Sequence, residues 1–165
     1  MSKRYGITGL STMSATCGQQ ALGDVDLDAP DAILRLNLHP GIRAVQAALP
    51  RMRANGRSRV VNICSLTVAS PSELLMRPQR GLVSFTRTWA LELAQTGITV
   101  NVAPGPTEPN CEGEYQYLTG VPMHRLGRPD EIAAAIQFLL SEDAGFITGQ
   151  TLFVYCGASI GKALL

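Results

Sequence analysis

Two short runs rich in valine constrain this chain more than any other feature: Arg59–Ile63 (RVVNI) and Ile98–Ala103 (ITVNVA). The first shows no polar alternation and reads as a strand buried on both faces, the kind found in parallel sheets. The second reads as the next strand. Between them, Gly81–Gln95 places Leu82, Phe85, Trp89 and Leu93 at helical spacing and is closed by Gly97. Parallel neighbours need a long crossover, and a helix supplies it.

The same alternation extends outward. Residues 5–10 (YGITGL) read as a short strand and 11–27 as a loop of small and polar residues. Asp28 suits a helix N-cap and Pro30 a first turn. Ile33, Leu34, Leu38, Ile42, Val45, Leu49 and Met52 then recur at helical spacing, with a kink expected at Pro40 and an end at Asn55-Gly56. Residues 64–78 and 104–127 read as irregular segments. Pro129, Asp130 and Glu131 open a third helix that buries Ile132, Ile136 and Leu139 and ends near Gly145, and Thr151–Tyr155 (TLFVY) reads as a last strand. This pattern predicts an α/β fold, a mostly parallel sheet with flanking helices. With no internal repeat and no low-complexity linker, residues 1–165 read as one domain.

Composition excludes several function classes. The net charge of +1 gives no electrostatic case for nucleic acid or an anionic membrane, and Lys and Arg read as scattered along the chain. Cys17, Cys64, Cys111 and Cys156 form no C-x-x-C pair, and with only His39 and His124 beside them no metal site is expected. Reduced thiols in a cytoplasmic protein are the expectation. No apolar run reaches the length of a membrane span or a signal peptide.

Four segments, in order, carry a resemblance to a known family. They are NLHPGIRAVQAALPRM (37–52), RVVNICS (59–65), GLVSFTRTWALELAQTGITVNVAPGP (81–106) and RLGRPDEIAAAIQFLLSEDAGFITGQTLFVYCGASIG (125–161), more than half of the chain. They resemble the carboxyl-terminal half of a short-chain dehydrogenase/reductase. The resemblance implies a Rossmann-type fold and descent from oxidoreductases that use NAD or NADP. It also implies site positions: Asn37 and Ser65 for two catalytic residues, and Pro104, Gly105 and Thr107 beside the nicotinamide.

The amino-terminal placement has two alternatives. ITGLSTMSA (7–15) is similar to the family's first strand and glycine-rich turn, with Thr8 and Gly9 matching but Met13 and Ala15 standing where glycines are needed. Alternatively, Thr12-Met13-Ser14-Ala15 stands where the family has Asn-Asn-Ala-Gly, which fits the spacing to Asn37 without a gap. Either way the parts that carry the cofactor's adenosine half are missing, so NAD or NADP binding is expected to be weak or absent.

The resemblance fails at the centre of the chemistry. The family's Tyr, the general acid, falls at Leu75, and its Lys falls at Gln79. No Tyr occurs between Tyr5 and Tyr115. Leu has no proton to give and Gln no charge to lower a phenol's pKa, and loss of a positioned acid costs about 10²–10⁴ in rate. Tyr155-Cys156 also replaces an Asp-Gly near the final turn. Structural readings therefore compete throughout. Against the site reading stand a Ser65 that satisfies backbone groups at a strand end, an Asn37 that holds a helix kink and a Cys64 that is an inert core thiol.

Three functions remain open. The chain is a catalytically impaired relative acting through association, as a homo-oligomer or with a full-length relative. It is a still-active oxidoreductase using Ser65 and a substitute acid such as Tyr115 or Tyr117. Or it is a shortened product without a dedicated function. In the family, the helices matching 30–53 and 79–95 meet across subunits, as does the region matching 129–155. Half of a doubly wound sheet would also leave a bare strand edge.

Overall fold

The structure, a computed structural model, describes residues 9–13, 28–64, 78–105, 122–125 and 127–157. The two valine-rich runs form adjacent strands, β2 (Ser58–Cys64) and β3 (Ile98–Pro104), paired in parallel from Ser58↔Ile98 to Cys64↔Pro104. β1 (Gly9–Met13) pairs in parallel with the other edge of β2, from Gly9↔Arg59 to Met13↔Ile63. The order β1-β2-β3 is a parallel sheet flanked by helices on both faces. The Rossmann-like α/β architecture is as expected.

Side-chain alternation along β2 and β3 divides the core. Val60, Ile98 and Val100 face α2 (His39–Asn55) and α3 (Pro78–Leu93), where they meet Val45, Ala48, Met52, Ala90 and Leu93. Val61 and Ala103 face α4 (Pro129–Leu140) and pack on Leu139, Ile136 and Leu140. Polar bonds fix the layers as well. Asn62 Nδ2 donates to Thr86 Oγ1 at 2.8 Å, and that hydroxyl donates to the Leu82 carbonyl at 2.8 Å, tying α3 to β2 inside the core.

α2 ends at Gly56 and a 3₁₀ turn after α3 (Ala94–Thr96) ends at Gly97, both with positive φ. The two turns pack together, and a Cβ at Gly97 would strike the Gly56 carbonyl. Gly97 thus meets two demands that only glycine satisfies, a left-handed backbone and a close approach.

Several expected boundaries move. The first strand runs to Met13, three residues beyond the expected end at residue 10. The long helix breaks at Leu38, between α1 (Asp28–Asn37) and α2, within the turn that precedes Pro40. Pro40 sits in the first turn of α2, where a missing N–H costs nothing. α3 starts three residues before Gly81, and α4 stops at Leu140, well short of Gly145.

The last strand is the largest change. In place of a ladder over Thr151–Tyr155 there is one parallel bridge, Val102↔Thr151. The chain still runs along the outer edge of β3, with Gly149 N to Val100 O at 2.7 Å, Leu152 N to Val102 O at 2.9 Å and Val154 N to Pro104 O at 3.0 Å. Side chains interrupt it below the bridge: Val100 N donates to Thr148 Oγ1, and Gln150 N to Asn101 Oδ1. Above the bridge, Pro104 has no N–H to continue the ladder.

Candidate functional site

Ligands of open parallel α/β sheets bind beyond the carboxyl ends of the strands. Here that end is marked by Cys64 and Pro104, which are register partners. Three expected site residues belong to it. Pro104 ends β3, Gly105 follows it, and Asn37 lies at the α1–α2 break, whose Leu38 packs beside Cys64, Leu82 and Val102. Asn37 is buried, 3% exposed, and is not without an interaction partner.

Gly105 has a packing reason for being glycine. A Cβ there would lie 2.6 Å from Ile132 Cδ1 and 3.1 Å from the Val154 carbonyl. α4 descends from this contact to Leu140, whose Cδ2 would lie 3.2 Å from a Cβ at Gly9.

That descent corrects one expectation. Gly9 is the first residue of β1, level with Arg59 and Thr99, at the amino end of the sheet. Five residues of strand, roughly 16 Å at about 3.3 Å each, separate its level from that of Pro104. Gly9 is therefore in a strand, not in a turn after one, and does not join Gly105 in a cofactor cradle. Thr8, Ser65, Leu75 and Thr107 lie outside the described residues. Gln79 falls in the first turn of α3. Ile132 packs against the side of Gly105 where a Cβ would stand.

The titratable groups near this end are restrained. Burial pushes the Cys64 thiol up to about 12, so it stays protonated and a poor nucleophile. Glu131 is fixed by both Arg125 guanidinium nitrogens, each at 2.7 Å, and accepts the Arg128 N–H at 2.9 Å at the start of α4. These contacts hold its carboxyl down at about 2, where it caps a helix and cannot serve as a base near neutrality. Among the described residues no group of three His, Cys, Asp or Glu is placed to hold a metal ion.

The sequence reading missed the sheet's internal polar anchors. Arg59, read only as the start of a strand, donates Nε to the Ser141 carbonyl at 3.1 Å and Nη1 to the Ser58 and Gly97 carbonyls at 3.0 and 3.3 Å. Asn101 donates to the Ile147 carbonyl at 2.8 Å and accepts from Gln150 N. A polar residue inside an otherwise apolar strand is the one signal that marks Asn62 and Asn101.

The profile of the family described as "Enoyl-(Acyl carrier protein) reductase" matches residues 3–159. The chain belongs to the short-chain dehydrogenase/reductase family. The match agrees with solved structures of short-chain dehydrogenases/reductases. An oxidoreductase of this family from Burkholderia thailandensis superposes with a TM-score of 0.83 at 25% identity, over 93% of this chain and 65% of that one. A gluconate 5-dehydrogenase from Burkholderia cenocepacia J2315, in complex with NADP and tartrate, gives 0.83 at 25% identity over 95% and 66%. In sequence, the chain is 37% identical over 137 residues to Nodulation protein G of Azospirillum brasilense, covering 77% of this chain and 56% of that protein. It is 37% identical over 135 residues to the 3-oxoacyl-[acyl-carrier-protein] reductase FabG of Vibrio harveyi, covering 76% and 55%. This short-chain dehydrogenase/reductase thus spans a little over half the length of the curated relatives it matches.

Proposed function

We propose that this chain is a short-chain dehydrogenase/reductase, by family an NAD(P)-dependent oxidoreductase, that has lost efficient hydride transfer and acts through association with other subunits. One observation carries the reading: no Tyr lies between Tyr5 and Tyr115, and the resemblance places Leu75 and Gln79 at the positions of the family's Tyr and Lys. A carbonyl accepting hydride needs a proton donor, and neither residue supplies or tunes one. One feature of the fold supports it: Gly9 sits at the far end of the sheet from Gly105.

Association is supported by apolar surface on both sides of the sheet. Leu36 on α1 and Leu91 on α3 are 59% and 82% exposed, and Phe138 on α4, Phe146 and Phe153 are exposed as well. Large apolar side chains gathered on a surface mark contact regions. The partner is a second copy or a full-length relative.

The second reading keeps weak NAD(P)-dependent chemistry through Ser65 and Tyr115 or Tyr117; the NADP-bound relative among the similar structures favours it. Fluorescence titration of NADH and NADPH against the purified protein decides between the two. Impaired hydride transfer predicts no saturable binding below the millimolar range. Micromolar dissociation constants would overturn it in favour of the second reading.

A further inference from the structure

From β1 to β3 the chain is a single βαβαβ unit. Its parallel strands lie side by side in chain order, joined by α1–α2 and by α3. Both crossovers use one face, where α2 and α3 pack together on Val60, Ile98 and Val100. A doubly wound sheet consists of two such units that start side by side and wind in opposite directions. Crossovers are right-handed, so the second unit places its helices on the opposite face. In this chain that face carries α4.

The strand beside which a second unit starts is β1. The far edge of the sheet is taken, because residues 149–154 bond along β3. The outer edge of β1 has no strand partner among the described residues. Successive residues of a parallel strand point their N–H and C=O groups to opposite sides, so every second residue of β1 offers both outward. Gly9–Met13 contains no charge and no proline, the usual guards of an exposed edge. Apolar cover beside it is unfinished on both faces. Leu10 and Leu49 are half-buried on the α2 face, and Leu140 is half-buried on the α4 face next to an exposed Gly9.

The relatives narrow the occupant. The two Burkholderia dehydrogenases superpose on 93% and 95% of this chain, yet the match takes up only 65% and 66% of theirs. Symmetry disfavours a second copy at this edge. A two-fold axis along the strands would set each β1 residue level with itself, but a parallel ladder needs a residue that faces its neighbour opposite one that faces away. A two-fold across the strands would run the β1 strands antiparallel and put both α2–α3 layers on one face. We infer that the outer edge of β1 receives, in parallel, the first strand of a complementary βαβαβ unit from a different polypeptide, whose helices cover the α4 face beside Gly9 and Leu140. The inference rests on the association reading and adds this partner to it; the outer faces of the helices stay free for contacts between copies.

Hydrogen exchange on the full chain alone is the first measurement. β1 amides that face away from β2 should exchange freely. Protection of every β1 amide while the chain sediments as a monomer would show that its own residues fill the edge, and protection that appears only with dimer formation would assign the edge to a second copy. Either result overturns the inference. The second measurement co-expresses the full chain with the amino-terminal βαβαβ half of the Vibrio harveyi reductase FabG. An equimolar complex is expected, in which the outward β1 amides become protected. Neighbouring residues point opposite ways, so one of Ser11→Pro and Thr12→Pro removes an outward donor and spares the ladder with β2. The variant that keeps the parent's melting temperature should weaken the complex by about tenfold or more. Absence of a complex, or a complex without new protection in β1, overturns the inference. Neither measurement involves NADH, so failure here and failure of the impaired-enzyme reading are told apart.

Discussion

Arg59 reaches across 82 positions of sequence to the Ser141 carbonyl, 3.1 Å from its Nε, and so joins the second strand to the end of the last helix. The cation also meets the carbonyl-rich end of α4, where a helix favours positive charge. Arg59→Met keeps the aliphatic stem and removes the donors for three carbonyls. Stability should fall by about 2 kcal/mol. Urea unfolding should show a lower midpoint at unchanged slope, and an unchanged midpoint would refute the anchoring role.

Thr99 is the register partner of Arg59, and its hydroxyl oxygen is buried with no hydrogen-bond partner among the described residues. Val has nearly the same shape without the hydroxyl. Thr99→Val should therefore stabilise the protein by up to about 1 kcal/mol. A destabilised variant in thermal unfolding would show that the hydroxyl does have a partner.

Cys156 has φ +51, in the left-handed region that favours glycine, and the resemblance places a glycine there. Cys156→Gly should relieve roughly 1 kcal/mol of backbone strain, partly offset by the extra freedom of glycine in the unfolded chain. The net gain, read as a higher melting temperature, should exceed that of Cys156→Ala, which keeps the Cβ.

Glu131 gives the acid limb of stability a specific origin. Its folded-state pKa, about 2, is depressed chiefly by the hydrogen bond from Arg125. An unfolded Glu titrates near 4.3. Its stabilisation is thus complete above that value and is lost as pH falls toward 2. Between about pH 4.5 and 2, Glu131→Gln should lose stability less steeply than the parent. Parallel acid profiles would remove Glu131 from the explanation.

For the chemistry, the expected outcome is negative. Leu75→Tyr with Gln79→Lys should leave carbonyl reduction at background with either NADH or NADPH. The cradle that holds the cofactor is not rebuilt by restoring the acid, and a proton donor without an oriented hydride gains little. Measurable turnover by the double variant would show that the amino-terminal part still binds cofactor.

Periodicity made the core legible. Val60, Val61, Val100 and Val102 are all fully buried where the valine-rich runs predict them, and Pro129, Asp130 and Glu131 start α4 as the helix dipole requires. What escaped depends on partners distant in sequence. Arg59 is an anchor only because Ser141 and Gly97 arrive beside it. The expected final strand gives way to a single bridge because Thr148 and Asn101 offer side-chain oxygens to the backbone and Pro104 withholds its donor. At the site, the glycine after Pro104 was legible, but its cause, Ile132 lying against it, was not. Gly9 matched a motif by letter and failed it by position, since only strand register shows which end of the sheet a residue occupies.

The outermost described strand has a consequence for synthesis. Gly9 pairs with Arg59, so β1 leaves the ribosome 50 residues before its partner. At about 5–20 residues per second, that is a wait of roughly 3–10 seconds. A strand of valines waiting that long would invite the wrong neighbour. GLSTM, with glycine, serine and threonine at three of its five places, is poor material for premature pairing. Of the three described strands, the first to be synthesised is thus also the poorest in β-branched residues.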